Sequence, residues 1–278
     1  MKKVSVIIPV FNGEKHIKKC IDKVLNQTYA NIEILVINDG STDNTATILN
    51  KIQDDRVKVI NKENSGVSEA RNVGIVNVTG EFIIFLDSDD ELEDNAIACL
   101  IDKIKQNEKN VEIILFGFKV FGTKNRNNDT LILKELKYID NIKKELIKRM
   151  ISITNNIYGY IWRTMYSREL LIKNNIQFPK GIKISEDYMF LLNAIYCADV
   201  IEIDDNEYYN YIINDSSMSI KYIPTLLEDM MFVNEWMYNK IVTKDSDLND
   251  GYIDCVCNTY LRYVQTTVRK KNENIIKK

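Results

Sequence analysis

The sequence predicts an α/β protein with a mainly parallel sheet flanked by helices, followed by a helical C-terminal extension. Continuous apolar runs recur along the first 120 residues, helical patterns separate them, and the chain beyond Pro224 has helical patterns alone. A continuous apolar run is typical of a strand buried on both faces, and alternating β and α units produce parallel strands. We therefore expect a first domain at residues 1–215 and an extension at 216–278. The extension looks truncated, because its ending resembles an arbitrary stop.

Each predicted element follows from its local pattern. After the first strand, apolar residues recur at i, i+3, i+4 and i+7, which places Ile17, Cys20, Ile21 and Val24 on one helix face. The next strand ends in Asp39-Gly40 and is followed by STDNT, a natural turn and helix cap. The predicted strands are 4–10, 32–39, 57–60, 81–87 and 111–121, and the predicted helices include 67–77, 94–107 and 138–153.

Composition excludes several classes of protein. The net charge is only −3 over 278 residues, so no basic field indicates a nucleic-acid partner. The five cysteines include no C-x-x-C pair, which argues against a disulfide framework or a zinc site and favours a reduced, cytoplasmic compartment. No run reaches the roughly 18 apolar residues of a membrane span. We expect a soluble protein that could at most attach to the inner face of a membrane.

Carboxylates follow the strands at the positions where an open α/β sheet binds its ligands. The first strand ends in Pro9-Val10-Phe11, the second in Asp39, and the fourth in Asp87-Ser88-Asp89. The chain has neither a G-x-G-x-x-G after the first strand nor a G-x-x-x-x-G-K-[ST]. A diphosphate would therefore need another means of neutralisation. Acids that hold Mg²⁺ or Mn²⁺ could provide it, because these ions bridge to phosphate oxygens.

Taken alone, each of these residues also has a purely structural explanation. Acids at a strand end can be solvated, an Asp-Gly pair is a turn signal, and an acidic pair suits the positive end of a helix dipole. These explanations apply to Asp87 with Asp89, to Asp39, and to Glu186 with Asp187; Phe11 alone would be a core residue and Arg71 alone a surface ion pair.

The order and spacing of the motifs favour function. VSVIIPVFNG, INDGSTDNT, NSGVSEARN and FLDSDD, followed more loosely by IWRTMYSRELL and ISEDYMF, resemble glycosyltransferase family 2. The likeness is close over about residues 3–120 and looser to about 190. It implies the GT-A fold, a Rossmann-like architecture, and inverting transfer from a nucleotide-sugar donor.

The resemblance also implies roles for the marked residues. Asp89 and Asp87 would bind a Mn²⁺ or Mg²⁺ cofactor, and Asp87 would also meet the ribose or the sugar. Asp39 would hydrogen-bond the nucleotide base, with Phe11 as an aromatic face beside it. The donor-binding set implied by the family comprises Pro9, Phe11, Asp39, Arg71, Asp87 and Ser88, with Arg71 near the base or diphosphate.

The acceptor half of the chemistry is placed in ISEDYMF. Inverting transfer needs a base within hydrogen-bond reach of the attacking hydroxyl. In related enzymes the aspartate of an E-D pair has this role, which implies Asp187 as the base and Glu186 as its helper. Trp162 matches a position that usually lines the acceptor side, although the family's W-x-K-L pattern reads WRTM here.

These features predict a metal-dependent inverting glycosyltransferase that uses a UDP-sugar and a glycan or lipid-linked acceptor, in cell-surface polysaccharide synthesis. A homodimer could form through the C-terminal helices. Two alternatives stay open. One is a non-catalytic sugar-nucleotide binder or assembly subunit; the weaker one is a sugar nucleotidyltransferase, for which PVFNGEKH lacks the Gly-rich basic loop.

Overall fold

The computed structural model describes residues 1–122, 129–152, 159–213 and 224–276. The boundary expected between residues 215 and 216 lies outside these ranges, so the proposed division into two domains stays a prediction.

The described elements agree closely with the predicted strands and helices over the first 121 residues. The strands are β1 (Val4–Val10), β2 (Ile32–Asp39), β3 (Val57–Lys62), β4 (Phe82–Phe85), β5 (Glu91–Leu92), β6 (Ile113–Phe121), β7 (Thr164–Ser167) and β8 (Ile201–Ile212). The helices are α1 (Ile17–Leu25), α2 (Thr45–Leu49), α3 (Val67–Asn77), α4 (Ala96–Gln106), α5 (Asp129–Leu136), α6 (Ile142–Ile151), α7 (Arg168–Lys173), α8 (Glu186–Cys197), α9 (Leu226–Lys240) and α10 (Asn249–Ile276).

One sheet joins all eight described strands, in the order β3-β2-β1-β4-β7-β6-β8-β5. The strands β1 to β4 pair in parallel, and β6 pairs in parallel with β8. The short strand β7 lies antiparallel between β4 and β6, and β5 is antiparallel to β8. The predicted α/β class is confirmed, and the sheet is mixed because β7 enters it from the opposite direction.

The register places the carboxyl ends of β1, β2 and β4 side by side, and we call this side of the sheet its carboxyl edge. Val10 lies opposite Asn38, and Ile7 lies opposite Phe85. All residues of β1, β2 and β4 are buried, as expected for strands covered on both faces. The side chains that follow these strands therefore emerge together at the carboxyl edge.

The C-terminal helices contact the rest of the protein through a buried acid. The Asp229 carboxylate on α9 accepts hydrogen bonds from the Lys183 backbone N–H at 2.9 Å and from the Thr225 hydroxyl at 3.0 Å. This contact holds the segment that leads into α8.

Helix α10 carries exposed apolar side chains, among them Ile253, Leu261 and Val264. The predicted dimer contact through the C-terminal helices stays a prediction. Among the described residues, none of the helices combines the length and the apolar character that crossing a membrane requires.

Candidate active site

A buried arginine joins two segments that carry predicted site residues. Arg71 lies in α3 with only 4% of its side chain exposed. Its Nη2 atom is 3.0 Å from Asp87 Oδ1, and its Nη1 atom is 2.7 Å from Asp187 Oδ1. Glu186 Oε1 lies 4.0 Å from the same Nη1 atom. The sequence predicted Arg71 near the base or diphosphate; the structure adds that it pairs with acids from the end of β4 and the start of α8.

The charges in this cluster do not balance. One guanidinium faces three carboxyl groups, those of Asp87, Glu186 and Asp187. Burial opposes the charge on Arg71, but the carboxylates of Asp187, Asp87 and Glu186 outweigh burial and raise its pKa. Arg71 therefore stays a cation, and carboxylates that its single charge does not neutralise favour a bound proton or a further cation nearby.

The acid pair at the start of α8 has perturbed proton affinities. Burial raises the pKa of the Asp187 carboxyl, while the Arg71 charge lowers it. Burial and the neighbouring Asp187 charge likewise raise the pKa of Glu186. Asp187 still keeps 27% of its side chain exposed, so a substrate can reach it. A carboxylate with a raised pKa is a stronger base, which suits proton abstraction from a hydroxyl.

The backbone before this pair is strained. Ser185, the residue preceding α8, has a φ of 65° in the left-handed region, which a residue with a side chain rarely adopts. Such strain persists only where the surroundings impose it, and it is concentrated at functional sites. The left-handed turn fixes the direction in which α8 begins and therefore the position of Asp187.

We predict an acid limb in the pH profile that reports the ionisation of Asp187. Activity requires the ionised base, so kcat/KM should fall tenfold per unit as pH drops below its pKa, and the limb should lie above the pKa of about 4 of an ordinary aspartate. Because the Arg71 charge lowers this pKa, Arg71→Met should move the limb to higher pH. Measurement of kcat/KM between pH 4 and 9 checks both statements.

The control for the pH profile is Arg56→Met, which removes an arginine paired with Asp54 at 2.9 Å. This variant should keep the wild-type limb. A wild-type limb at or below pH 4, or a limb unmoved in a folded Arg71→Met variant, would show that Asp187 is not the titrating base.

The turn after β4 presents Asp87, Ser88 and Asp89 as partly exposed residues. Asp87 keeps 30% of its side chain exposed beyond its contact with Arg71. Two carboxylates at a partly exposed turn suit Mg²⁺ or Mn²⁺, which commonly take one or two carboxylates and complete their shell with phosphate oxygens and water. Within the described ranges no group of three His, Cys, Asp or Glu residues forms a ready-made metal site. The two partly exposed acids of this turn fit an ion whose shell a diphosphate and water would complete.

Asp90, the fourth residue of this turn, is not among the site residues predicted from the sequence. Asp90 is 1% exposed, and burial together with the Asp87 charge raises its pKa to about 8. Its carboxylate accepts hydrogen bonds from the Tyr209 hydroxyl and the Ile212 backbone N–H, both at 2.7 Å. Three acids within four residues were the available signal for Asp90, whereas nothing local in the sequence indicates Tyr209.

Asp39 lies at the end of β2, as predicted, and is almost completely buried. Its carboxylate accepts hydrogen bonds from the backbone N–H groups of Ser65 at 3.0 Å and Gly66 at 2.9 Å, and it forms a salt bridge with Lys62. These contacts fix the start of α3, the helix that carries Arg71. The role of Asp39 at the nucleotide base stays a prediction.

The two predicted residues from β1 have different surroundings. Pro9 is buried within β1. Phe11 is 52% exposed just beyond it, so the explanation of Phe11 as a core residue is wrong. An exposed aromatic ring at the carboxyl edge is available for stacking on a planar group.

Trp162 lies in a stack of aromatic rings and is only 4% exposed. Its ring centroid is 4.4 Å from that of Tyr209 and 4.8 Å from that of Tyr160, with nearly parallel planes in both pairs. Tyr208 and Tyr209 are both buried in β8, as expected for a strand that packs on the core. The role of Trp162 at the acceptor stays a prediction.

The described part of the protein has a cavity away from these acids. It measures about 390 Å³ and is lined by Lys2, Phe82, Ser167 and Arg168, among others, where β1 and β4 begin. Ligand sites of open α/β sheets lie at the opposite, carboxyl edge. We therefore place the candidate active site at the acids and not at this cavity.

Acids at the carboxyl edge of a mixed sheet, joined through Arg71 to an acid pair on α8, fit the glycosyltransferase site of the GT-A fold that the sequence motifs imply. The comparisons with known proteins agree. The family model described as "Glycosyl transferase family 2" matches residues 5–173. This chain belongs to glycosyl transferase family 2.

Individual relatives cover most of the chain. It is 32% identical over 231 residues to "Uncharacterized glycosyltransferase EpsJ" of Bacillus subtilis, a match that covers 82% of this chain and 66% of that protein. It is 31% identical over 230 residues to "Poly(ribitol-phosphate) beta-glucosyltransferase" of Bacillus spizizenii, covering 80% and 34% of the two chains. The chain thus spans about two thirds of the length of EpsJ and a third of the second relative.

A solved structure is similar over nearly the whole chain. The crystal structure of S. aureus TarS 1–349 in complex with UDP-GlcNAc superposes with a TM-score of 0.74 at 25% identity. The superposition covers 94% of this chain and 73% of the TarS chain. The GT-A fold implied by the sequence motifs is therefore confirmed.

Proposed function

We propose that the protein is an inverting, metal-dependent glycosyltransferase that moves a sugar from a nucleotide-diphosphate donor to an acceptor hydroxyl. The observation that carries the proposal is the contact of Arg71 with both Asp87 and Asp187. A single buried guanidinium holds the donor-side acid and the candidate base in one cluster. Displacement at the anomeric carbon needs the attacking hydroxyl and the leaving diphosphate on opposite faces of that carbon, and a fixed cluster can hold the groups that bind each of them.

The donor we propose is a UDP-sugar. Support comes from the UDP-GlcNAc complex of TarS, whose fold this chain shares at 25% identity. Within this chain, Phe11 offers an exposed ring at the end of β1, next to the strand that ends in Asp39. A nucleobase could stack on such a ring while its polar edge meets Asp39.

The metal we propose is Mn²⁺ or Mg²⁺, held by Asp89 and Asp87. When bound, the ion would neutralise the diphosphate and stabilise the negative charge that develops on it as it leaves. The excess of carboxylates around Arg71 supports this assignment. Carboxylates repel a diphosphate that arrives without a cation, and a bound divalent cation removes that repulsion.

Asp187 acts in this proposal as the general base. It accepts the proton of the acceptor hydroxyl while the hydroxyl oxygen bonds to the anomeric carbon, and the bond from that carbon to the diphosphate oxygen breaks with its electron pair. The diphosphate leaves on the opposite face, so the configuration inverts. Arg71 keeps Asp187 ionised and oriented, and Glu186, whose pKa burial raises, helps to position it.

The acceptor we propose is a glycan or a lipid-linked saccharide, in the synthesis of a cell-surface polysaccharide at the cytoplasmic face of a membrane. Relatives named for polymer glycosylation, such as the poly(ribitol-phosphate) glucosyltransferase, support this class. The sugar transferred and the acceptor hydroxyl are set by the second half of the chain, for which the sequence offers no code.

We predict metal-dependent stabilisation by one class of nucleotide. UDP with Mn²⁺ should raise the melting temperature and keep raising it with the logarithm of ligand concentration, because a ligand that binds only the native state stabilises by RT ln(1 + [L]/Kd), about 2.7 kcal/mol at one hundred times Kd. UDP without metal, and GDP or dTDP with metal, should give smaller shifts. Differential scanning fluorimetry over this matrix checks the prediction.

The same samples separate the alternative functions. Release of UDP from a UDP-sugar on addition of acceptor identifies a transferase, and binding without turnover over a broad acceptor set indicates a non-catalytic binder. Pyrophosphate release from UTP and a sugar phosphate would favour a nucleotidyltransferase. Indifference to every nucleotide and sugar-nucleotide with either metal would overturn the proposal.

A further inference from the structure

Asp87-Ser88-Asp89 form a D-x-D motif, and the acid that follows it, Asp90, faces away from the candidate metal site. Asp90 is buried, whereas Asp87 keeps 30% of its side chain exposed. Both oxygens of the Asp90 carboxylate accept hydrogen bonds from β8: Oδ2 from the Tyr209 hydroxyl and Oδ1 from the Ile212 backbone N–H. Because both of its oxygens bond to that strand, Asp90 attaches the turn to β8 and is not available as a metal ligand.

The Tyr209 hydroxyl also contacts the first residue of the turn. Its oxygen accepts a hydrogen bond from the Asp87 backbone N–H at 3.3 Å while it donates to Asp90 at 2.7 Å. The turn is closed from within by the Asp90 N–H, which donates to the Asp87 carbonyl at 3.0 Å. One hydroxyl from a distant strand therefore holds both ends of the four-residue turn that presents Asp87, Ser88 and Asp89.

The ring of Tyr209 belongs to the aromatic stack around Trp162. It stacks on Trp162 with centroids 4.4 Å apart and planes inclined by 22°. Trp162 in turn stacks on Tyr211, whose ring plane is inclined by only 8°. Tyr209 thus connects the donor-side turn with the aromatic stack around Trp162 through rigid contacts.

We propose that Asp90 and Tyr209 are positioning residues that set the orientation of the D-x-D carboxylates toward the donor and its metal. The proposal rests on the proposed function, since it assigns these residues to that site. Ligand carboxylates need support from groups behind them, because binding depends on geometry that a short turn cannot maintain alone. Loss of the Tyr209 hydroxyl would leave the buried Asp90 carboxylate and the partly buried Asp87 N–H without this partner, and the turn would relax to satisfy them.

The test compares two adjacent tyrosines. Tyr209→Phe keeps the ring on Trp162 and removes only the hydroxyl. Tyr208→Phe is the matched control, because Tyr208 is also buried in β8 and donates its hydroxyl to Asp204 at 3.3 Å, away from the turn. Both variants lose one buried hydroxyl, so a general loss of stability affects both.

Tyr209→Phe should weaken the binding of UDP in the presence of Mn²⁺ by about 10- to 100-fold, the usual cost of losing a group behind a metal ligand. Titration calorimetry measures this value, and kcat/KM for the donor should fall at least as far. UDP binding without metal should change less than about threefold, and Tyr208→Phe should change every value less than about threefold. Equal values in the two variants, with wild-type binding intact, would overturn the positioning role.

Amide hydrogen exchange provides a readout that needs neither nucleotide nor metal. The Asp87 N–H donates to Tyr209, so it should exchange faster in Tyr209→Phe and at the wild-type rate in Tyr208→Phe. An unchanged Asp87 rate in Tyr209→Phe would overturn the proposal even if the enzyme is active. Failure of the wild type to bind any sugar-nucleotide would instead overturn the proposed function. In that case, faster exchange of the Asp87 N–H in Tyr209→Phe would still show that Tyr209 holds the turn.

Discussion

Replacing Asp187 by asparagine is expected to lower kcat by about 10²- to 10⁴-fold, the range that a general base contributes. Asparagine has nearly the same shape and keeps an oxygen that can accept the hydrogen bond from Arg71, which spans 2.7 Å in the wild type. It cannot take a proton from the acceptor hydroxyl. Binding of UDP with Mn²⁺ should stay within about threefold of wild type, because the amide still occupies its place beside Arg71. Single-turnover kinetics and calorimetry measure the two quantities separately.

The control for this variant is Asp199→Asn, at an exposed position just beyond the end of α8. It removes the same charge and should keep wild-type turnover. Full activity in Asp187→Asn would assign the base to another group, and Glu186→Gln would then be the next variant to assay. A parallel loss of binding and turnover would show instead that Asp187 maintains the structure of the site.

The first strands could be predicted almost to the residue because burial on both faces leaves one pattern. The run VSVIIPV predicts residues 4–10, and β1 spans Val4–Val10; IEILVIND predicts 32–39, and β2 spans Ile32–Asp39. The polar Ser5 and Glu33 hydrogen-bond each other near the amino ends of these strands, and Asn38 and Asp39 lie at the carboxyl end of β2. The positions between them form continuous apolar runs, so no alternating pattern competes. The carboxyl edge, and with it the location of the site, follows from these strands.

The second half of the sheet could not be predicted, because its pairings join distant parts of the chain. The strand β7 has only four residues and lies antiparallel between β4 and β6, an order that no local pattern specifies. The hydrogen bond from Tyr209 to Asp90 depends on that strand order, because the bond forms only if β8 lies next to the turn after β4. Local periodicity gives the faces of elements but not their neighbours.

The candidate site shows the same division. Spacing and resemblance brought Arg71, Asp87 and Asp187 into one hypothesis, but not the fact that one guanidinium contacts both acids. For Phe11 the local pattern and the resemblance disagreed: an apolar residue after a buried strand is typical of the core, whereas the resemblance implied an aromatic face, and the residue is 52% exposed. Local periodicity alone does not reveal such a departure from the pattern of neighbouring residues.

Replacing Asp89 by asparagine is expected to abolish the gain in UDP affinity that Mn²⁺ provides. In the proposed site Asp89 supplies a charged ligand to the ion, and an amide oxygen is a much weaker ligand for a hard cation. The ratio of the UDP dissociation constants without and with Mn²⁺ should fall to about 1, and turnover should drop by about 100-fold or more, on the scale of one lost contact to the charge that develops in the transition state. Calorimetry with and without metal, followed by steady-state kinetics, checks both.

Asp94→Asn separates this effect from a change in the general field. Asp94 lies five residues further on, is 66% exposed in its side chain and pairs with Lys23 at 3.2 Å. Its loss removes one negative charge from the same segment of the chain but no candidate ligand, and exposed charges are screened by water and salt. Asp94→Asn should therefore keep the wild-type response to Mn²⁺. If Asp89→Asn also keeps it, the D-x-D turn does not hold the metal, and if both variants lose it equally, the turn acts only through its net charge.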